Sequence, residues 1–247
     1  MLNKIRVLNG NALKIIAAVT MLIDHFGMIF FPQEVIFRII GRLAFPIFSF
    51  MISEGARYTK NKLKYILTVG ILGVACQIPM IILFNDFHWN VLVTFTISLG
   101  LIYLLDWFKI SLFDKECKTY IKIASLCSFL CGTLGLYLVT KFAAFGYSYG
   151  ILGCMAAVFA SAPSLNKTDA PQWLKRLDIV PVRVLCMAIP LLIYSYVSTP
   201  IQYYSIFAIV PLLLYSGKRG KLNMKYFFYI FYPAHLVILY GIALLIK

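Results

Sequence analysis

The chain has 247 residues, of which 62% are hydrophobic and 13% charged, and its mean hydropathy is +0.87. That composition excludes an ordinary soluble domain and points to a polytopic membrane protein. A net charge of +14 would suit nucleic acid in a soluble protein. In a membrane protein, basic loops set topology and meet anionic lipid, so membrane lipid is the expected partner and nucleic acid is not.

A helix needs about 20 apolar residues to cross a bilayer. Nine such spans can be drawn, at about 12–31, 35–56, 64–84, 90–108, 121–140, 145–162, 181–198, 201–215 and 226–246. The chain reads as one all-α transmembrane helix bundle, a single domain over 1–247 with no internal repeat and no linker. The first run is too long for a cleavable signal peptide and lacks a small-residue cleavage site. Only Ser198, Thr199 and Pro200 separate the seventh and eighth spans, which predicts a broken or tilted hairpin.

Placing the N-terminus in the cytoplasm gathers the basic residues inside. Lys4 and Arg6, the Arg57–Lys64 loop, Lys109 to Lys122, Lys167 to Arg183 and Lys218 to Lys225 then hold 18 of the 23 lysines and arginines. Positive-inside bias makes this the expected orientation. Asp24 and His25 then lie in the outer half of the first span. Arg38 lies near the outer surface in the second span, and Arg42 is one turn deeper on the same face.

The first hairpin, Leu13 to Tyr58, carries Asp24, His25, Arg38, Arg42 and Glu54 inside apolar runs. An ionisable side chain at membrane depth costs at least roughly 2.5–3.5 kcal/mol, so such residues face a partner, a cavity or a site. His25 is a candidate general base; the plain alternative is an imidazole satisfied by a backbone carbonyl. Asp24 and His25 point about 100° apart on a helix, so Asp24 is free to pair with Arg42 instead. The two arginines are candidates for gripping an anion, against snorkelling for Arg38 and a buried pair with Asp24 or Glu54 for Arg42.

Further along, Gln77 beside Pro79 makes a polar break in the third span, and Asn90 opens the fourth as a cap or a site residue. His88 reads as a surface residue of the loop before it. In the last span Pro233 frees a carbonyl and is expected to kink the helix beside His235 and Tyr232. Tyrosines near span ends read as interfacial belt. The six cysteines show no Cys-x-x-Cys and no zinc-like histidine spacing, so no metal is expected; Cys127 and Cys131 read as packing residues. No phosphate-binding loop and no nucleophile elbow occurs, which removes support for ATP-driven transport and soluble-type hydrolysis.

Five blocks carry a family resemblance: LKIIAAVTMLIDHFG (13–27), GRLAFPIFSFMISEG (41–55), NVLVTFTISLGLIYLLD (90–106), YGILG (149–153) and FFYIFYPAHLVILYG (227–241). In these, in this order and over most of its length, the chain resembles the TraX family, named for the pilin N-acetyltransferase of conjugative pili. The family usually has an acidic residue shortly before the Tyr-Gly block, where this chain has Phe142-Ala143-Ala144-Phe145. TraX proteins are similar in turn to integral-membrane acyltransferases of the bacterial cell membrane. In those, an early intramembrane histidine acts as base and a nearby arginine is essential.

The resemblance implies a transmembrane acetyltransferase. It would carry an acetyl group from cytoplasmic acetyl-CoA to an amine or hydroxyl of an extracytoplasmic protein or glycan. His25 would be the base, with Asp24 and Arg42 beside it in the catalytic group. Arg38, Arg42, His235 and Gln77 would handle the acyl donor, and Glu54, Asn90 and Tyr232 the acceptor. Direct transfer and an acetyl-histidine relay both fit. The acceptor, the acyl chain length and the oligomeric state, homo-oligomer included, are left open. A transporter or flippase of an anionic lipid or metabolite is the rival reading, although the inverted repeats such proteins often carry are not visible. A structural assembly factor for surface appendages is a third, made less apt by five intramembrane charges.

Overall fold

A computed structural model describes residues 6–85, 87–142, 146–164, 170–222 and 224–246. Lys4, Asp86, Ala143 to Phe145, Lys167 and Lys247 lie outside the described residues. The described residues are mainly helical, and no β-strand forms among them. The elements are α1 (Gly10–Phe30), α2 (Val35–Gly41), α3 (Ala44–Tyr58), α4 (Lys62–Phe84), α5 (Val91–Phe113) and α6 (Thr119–Phe142). They continue with α7 (Gly150–Ser161), α8 (Gln172–Leu177), α9 (Val180–Val197), a 3-10 helix (Pro200–Ala208), α10 (Ile209–Leu213) and α11 (Lys225–Ile246).

Among the described residues seven stretches are long and apolar enough to cross a membrane, which makes this a multi-pass membrane protein. Two of the nine expected spans fall short of that length. The stretch at 145–162 is reduced to the 12 residues of α7, about 18 Å of helix against roughly 30 Å of hydrocarbon. Its start is delayed because Tyr149 and Gly150 both take left-handed backbone angles, with φ of 65° and 56°. The stretch at 201–215 becomes nine residues of 3-10 helix followed by five of α-helix. At about 2.0 Å rise per residue for the 3-10 part, the two reach roughly 25 Å.

The second expected span is continuous in hydropathy but broken in backbone. Pro46 has no N–H to donate to the carbonyl of Arg42, so the chain turns at Arg42 and Leu43 between α2 and α3. Helix starts follow asparagines. The side chains of Asn9, Asn61 and Asn90 accept from the backbone N–H of Ala12, Lys64 and Leu92 respectively.

The chain divides into two compact units, one made of Met1–Met51 with Leu191–Lys247 and the other of Ile52–Pro190. In the first, α1 packs against α2 and α11, and α2 against the 3-10 helix. Leu13, Ala17, Phe50, Leu212 and Tyr215 are buried in its core. The loop after α10 supplies carbonyls to the free N–H groups that open α1: Lys218 accepts from Gly10 and Arg219 from Asn11.

In the second unit, α5 is central and packs against α4, α6 and α7. Small residues on α7, Cys154, Ala156, Ala157 and Ala160, are almost wholly buried, which lets helix backbones approach closely. Cys127 and Cys131, expected to pack, are exposed on α6.

Candidate functional site

The site grows from the sharp hairpin between α1 and α2. Phe31, Pro32, Gln33 and Glu34 make the turn, and Phe26, Phe31 and Phe37 pack ring against ring beside it. The two helices approach so closely that Gly27 and Gly41 have no room for a Cβ. On Gly27 it would overlap Phe37, and on Gly41 it would overlap Asp24.

Asp24, on α1, is 9% exposed and faces α2. Nη2 of Arg42 lies 3.0 Å from each of its carboxylate oxygens, and Nη1 of Arg38 lies 3.1 Å from Oδ1. Arg42 also donates from Nε to the carbonyl of Arg38 at 3.1 Å. The guanidinium therefore fastens the end of α2 and the acidic residue of α1 at once. One carboxylate answers two guanidiniums. Arg42 is buried, whereas the side chain of Arg38 is 35% exposed and is the more open cation.

His25, the next residue, points to a different neighbour. Its Nδ1 lies 2.8 Å from Nε2 of His235 on α11. The ring planes are 14° apart and the centroids 5.0 Å apart. That separation is close to the nitrogen–nitrogen distance plus the two ring radii, so the imidazoles meet edge to edge, as a hydrogen bond requires. His235 is buried, and its Nδ1 lies 2.8 Å from the carbonyl oxygen of Phe231, one turn earlier. The rings of Phe231 and Tyr232 flank it at 5.1 and 5.7 Å, the first nearly parallel and the second edge-on. Pro233 lies inside α11, between Tyr232 and His235 in the chain.

Asp24, His25, Arg38, Arg42, Tyr232 and His235 thus belong to one unit and gather around α1. The pairing of Asp24 with Arg42 is the salt bridge that the helical spacing allowed. Arg38 does not merely snorkel but shares the carboxylate. The partnership of His25 with His235 was not foreseen, although both were singled out.

The other three predicted residues belong to the second unit. Glu54, in α3, receives a hydrogen bond from Nη1 of Arg183, whose Nη2 donates to Ser53 at 3.1 Å and whose Nε donates to the carbonyl of Ala160 at 2.9 Å. Arg183 and Glu54 are almost fully buried. Beside them Arg57 grips Asp178 with both ends of its fork, at 2.8 and 2.7 Å. Arg183 and Lys109, read in the sequence as loop cations, are internal. Lys109 lies 3.0 Å from Asp106 and donates to the carbonyls of Ser161 and Ser164.

Gln77 and Asn90 bind each other. The Gln77 carbonyl oxygen accepts from the backbone N–H of Asn90 at 3.0 Å, and the Asn90 amide donates to the carbonyl of Gly73 at 2.8 Å. Asn90 is therefore a helix cap with an interhelical tie. His88 is exposed, as read from its loop. Nearby Tyr147 is buried, and loss of solvent pushes its phenol above the ordinary range.

A family model described as TraX protein matches residues 9–243. Among curated proteins, an uncharacterized protein of Rickettsia prowazekii (strain Madrid E), RP591, is 41% identical over 93 residues. Those residues are 37% of this chain and 35% of that protein, so the chain spans about a third of the relative's length. No solved structure gives a significant match.

Proposed function

This chain belongs to the TraX family, and from that premise we propose that it is an acetyl-CoA-dependent acetyltransferase of the bacterial cytoplasmic membrane. Its acceptor is an amine or hydroxyl presented outside the cytoplasm, on a pilin-like N-terminus or a surface glycan. The observation that carries the reading is convergence. Three of the blocks that bear the family resemblance, 13–27, 41–55 and 227–241, supply the Asp24, Arg42 and His235 contacts around His25.

In this reading His25 takes the proton from the attacking amine or hydroxyl. A bond forms from the acceptor to the acetyl carbonyl carbon, the carbon–sulfur bond breaks, and the proton passes to the sulfur of CoA. Arg42 is held by Asp24, so its charge is fixed in direction before the reaction begins. Preorganised cations of this kind stabilise the oxyanion of a tetrahedral intermediate. Arg38, the more open of the two, meets the anionic part of the donor.

The deciding experiment uses purified full-length protein in detergent. Release of CoA from acetyl-CoA is followed with pilin N-terminal peptides and amino sugars as acceptors. Transfer that depends on acceptor supports the proposal. Stabilisation by a transported anion, with none by acetyl-CoA at millimolar concentration, would instead favour a transporter.

A further inference from the structure

We propose that His235 is a positioning residue that fixes the tautomer of His25, so that Nε2 of His25 is the basic nitrogen. The inference rests on the transferase reading for its chemical use, but its geometry is independent of it. The chain of hydrogen bonds begins at the carbonyl of Phe231, which can only accept. Nδ1 of His235, 2.8 Å away, must therefore carry hydrogen. A neutral imidazole has one N–H, so Nε2 of His235 bears a lone pair. Nδ1 of His25 lies 2.8 Å from that lone pair and in the plane of its ring. Two lone pairs facing each other there would repel, so Nδ1 of His25 carries hydrogen and donates. Nε2 of His25 is left as the unprotonated nitrogen.

The alternative is a cationic His235 donating to His25, which would invert the tautomer. Its contacts do not favour it. Among the described residues His235 touches another imidazole, the backbone carbonyls of Phe231 and Tyr232 and the rings of the same two residues, none of which is an anion. A buried cation needs a paired charge, and the carboxylate of α1 is already taken by two arginines. The free histidine side chain prefers hydrogen on Nε2, so the opposite form at His25 needs the acceptor that His235 provides.

The fixed tautomer matters because a base must present its lone pair to the proton it removes. When Nε2 of His25 takes that proton, the resulting positive charge strengthens the N–H bond to His235. No proton need leave His235. Its role is to orient and to polarise.

The test uses nitrogen-15 magnetic resonance of full-length protein with labelled histidine, in lipid or detergent and without substrate. The chain has three histidines, so His88→Gln and His235→Phe assign the spectrum. The expected result is hydrogen on Nδ1 of His25 in the wild type and its transfer to Nε2 in His235→Phe. In steady-state transfer assays His235→Phe should lose roughly 10²-fold or more in kcat, as a wrong tautomer does elsewhere, with little change in KM for acetyl-CoA. His235→Gln, whose amide oxygen can accept from Nδ1, should keep the tautomer and recover most of the rate.

Hydrogen on Nε2 of His25 in the wild type would overturn the inference outright, whether or not His235→Phe folds. So would a folded His235→Phe protein with the wild-type tautomer. Failure of every acceptor would count against the transferase reading alone, because the spectrum is recorded without one.

Discussion

Gly41 on α2 lies flush against the carboxyl group of Asp24 on α1, so close that a Cβ at position 41 would overlap it. The ion pairs of the site therefore depend on a residue that carries no side chain. Gly41→Ala should push Asp24 out of line with Arg38 and Arg42. Overpacking of this kind costs about 1–3 kcal/mol. The expected result is a lower Tm in detergent together with reduced transfer activity. An unchanged Tm would mean that the two helices part at little cost.

Removing the charge of Asp24 should be more damaging than removing its bulk. Asp24→Asn leaves two guanidiniums facing a neutral amide in a buried setting. Loss of one partner from a buried pair typically costs about 3–5 kcal/mol. Adding Arg42→Gln to Asp24→Asn should recover part of that loss. A double-mutant cycle on thermal unfolding measures the coupling, and an additive result would argue against a direct pair.

Glu54 is expected to act on stability, not on acceptor binding, because its carboxylate is already held by Arg183. Arg183→Met alone should destabilise the protein by about 3–5 kcal/mol, and Glu54→Leu with Arg183→Met should regain most of it. A folded Glu54→Gln protein with normal Tm and a raised KM for the acceptor would restore a binding role.

His25→Ala should remove most turnover, since positioned acid–base catalysis contributes about 10²–10⁴-fold. It should leave stabilisation by acetyl-CoA nearly intact. The measurement is transfer per folded molecule, with folding judged by monodispersity. Full activity in a well-folded His25→Ala protein would end its assignment as the base.

The orientation is testable with single cysteines in a cysteine-free background. Lys60→Cys should react with a membrane-impermeant maleimide only when the cytoplasmic face is opened, and Phe87→Cys should react in intact cells. The opposite pattern would invert the topology.

The sequence made the apolar runs legible because hydropathy is a local property. It also marked the residues that form the site, since charge inside such a run is conspicuous. What it could not carry was distance. His25 and His235 are 210 positions apart, and Glu54 and Arg183 are 129 apart. A single chain without aligned relatives gives no signal for such pairs. Arg183 and Lys109 were read as loop cations because they flank apolar segments, and only packing shows them turned inward. The break at Arg42 was in principle readable from Pro46, whose missing N–H falls one turn after it. The shortness of α7 was harder to see. It follows from left-handed backbone at Tyr149, a residue type that gives little warning of that conformation.

Lys109 brings a consequence for biogenesis. The 12 residues of α7 are shorter than the hydrocarbon layer, and an unbonded carbonyl at a helix end inside lipid would be costly. The ammonium of α5 meets the carbonyls of Ser161 and Ser164 there. A helix of this length gains C-terminal partners from α5, so the expected order of assembly is α5 first, then α7 onto it.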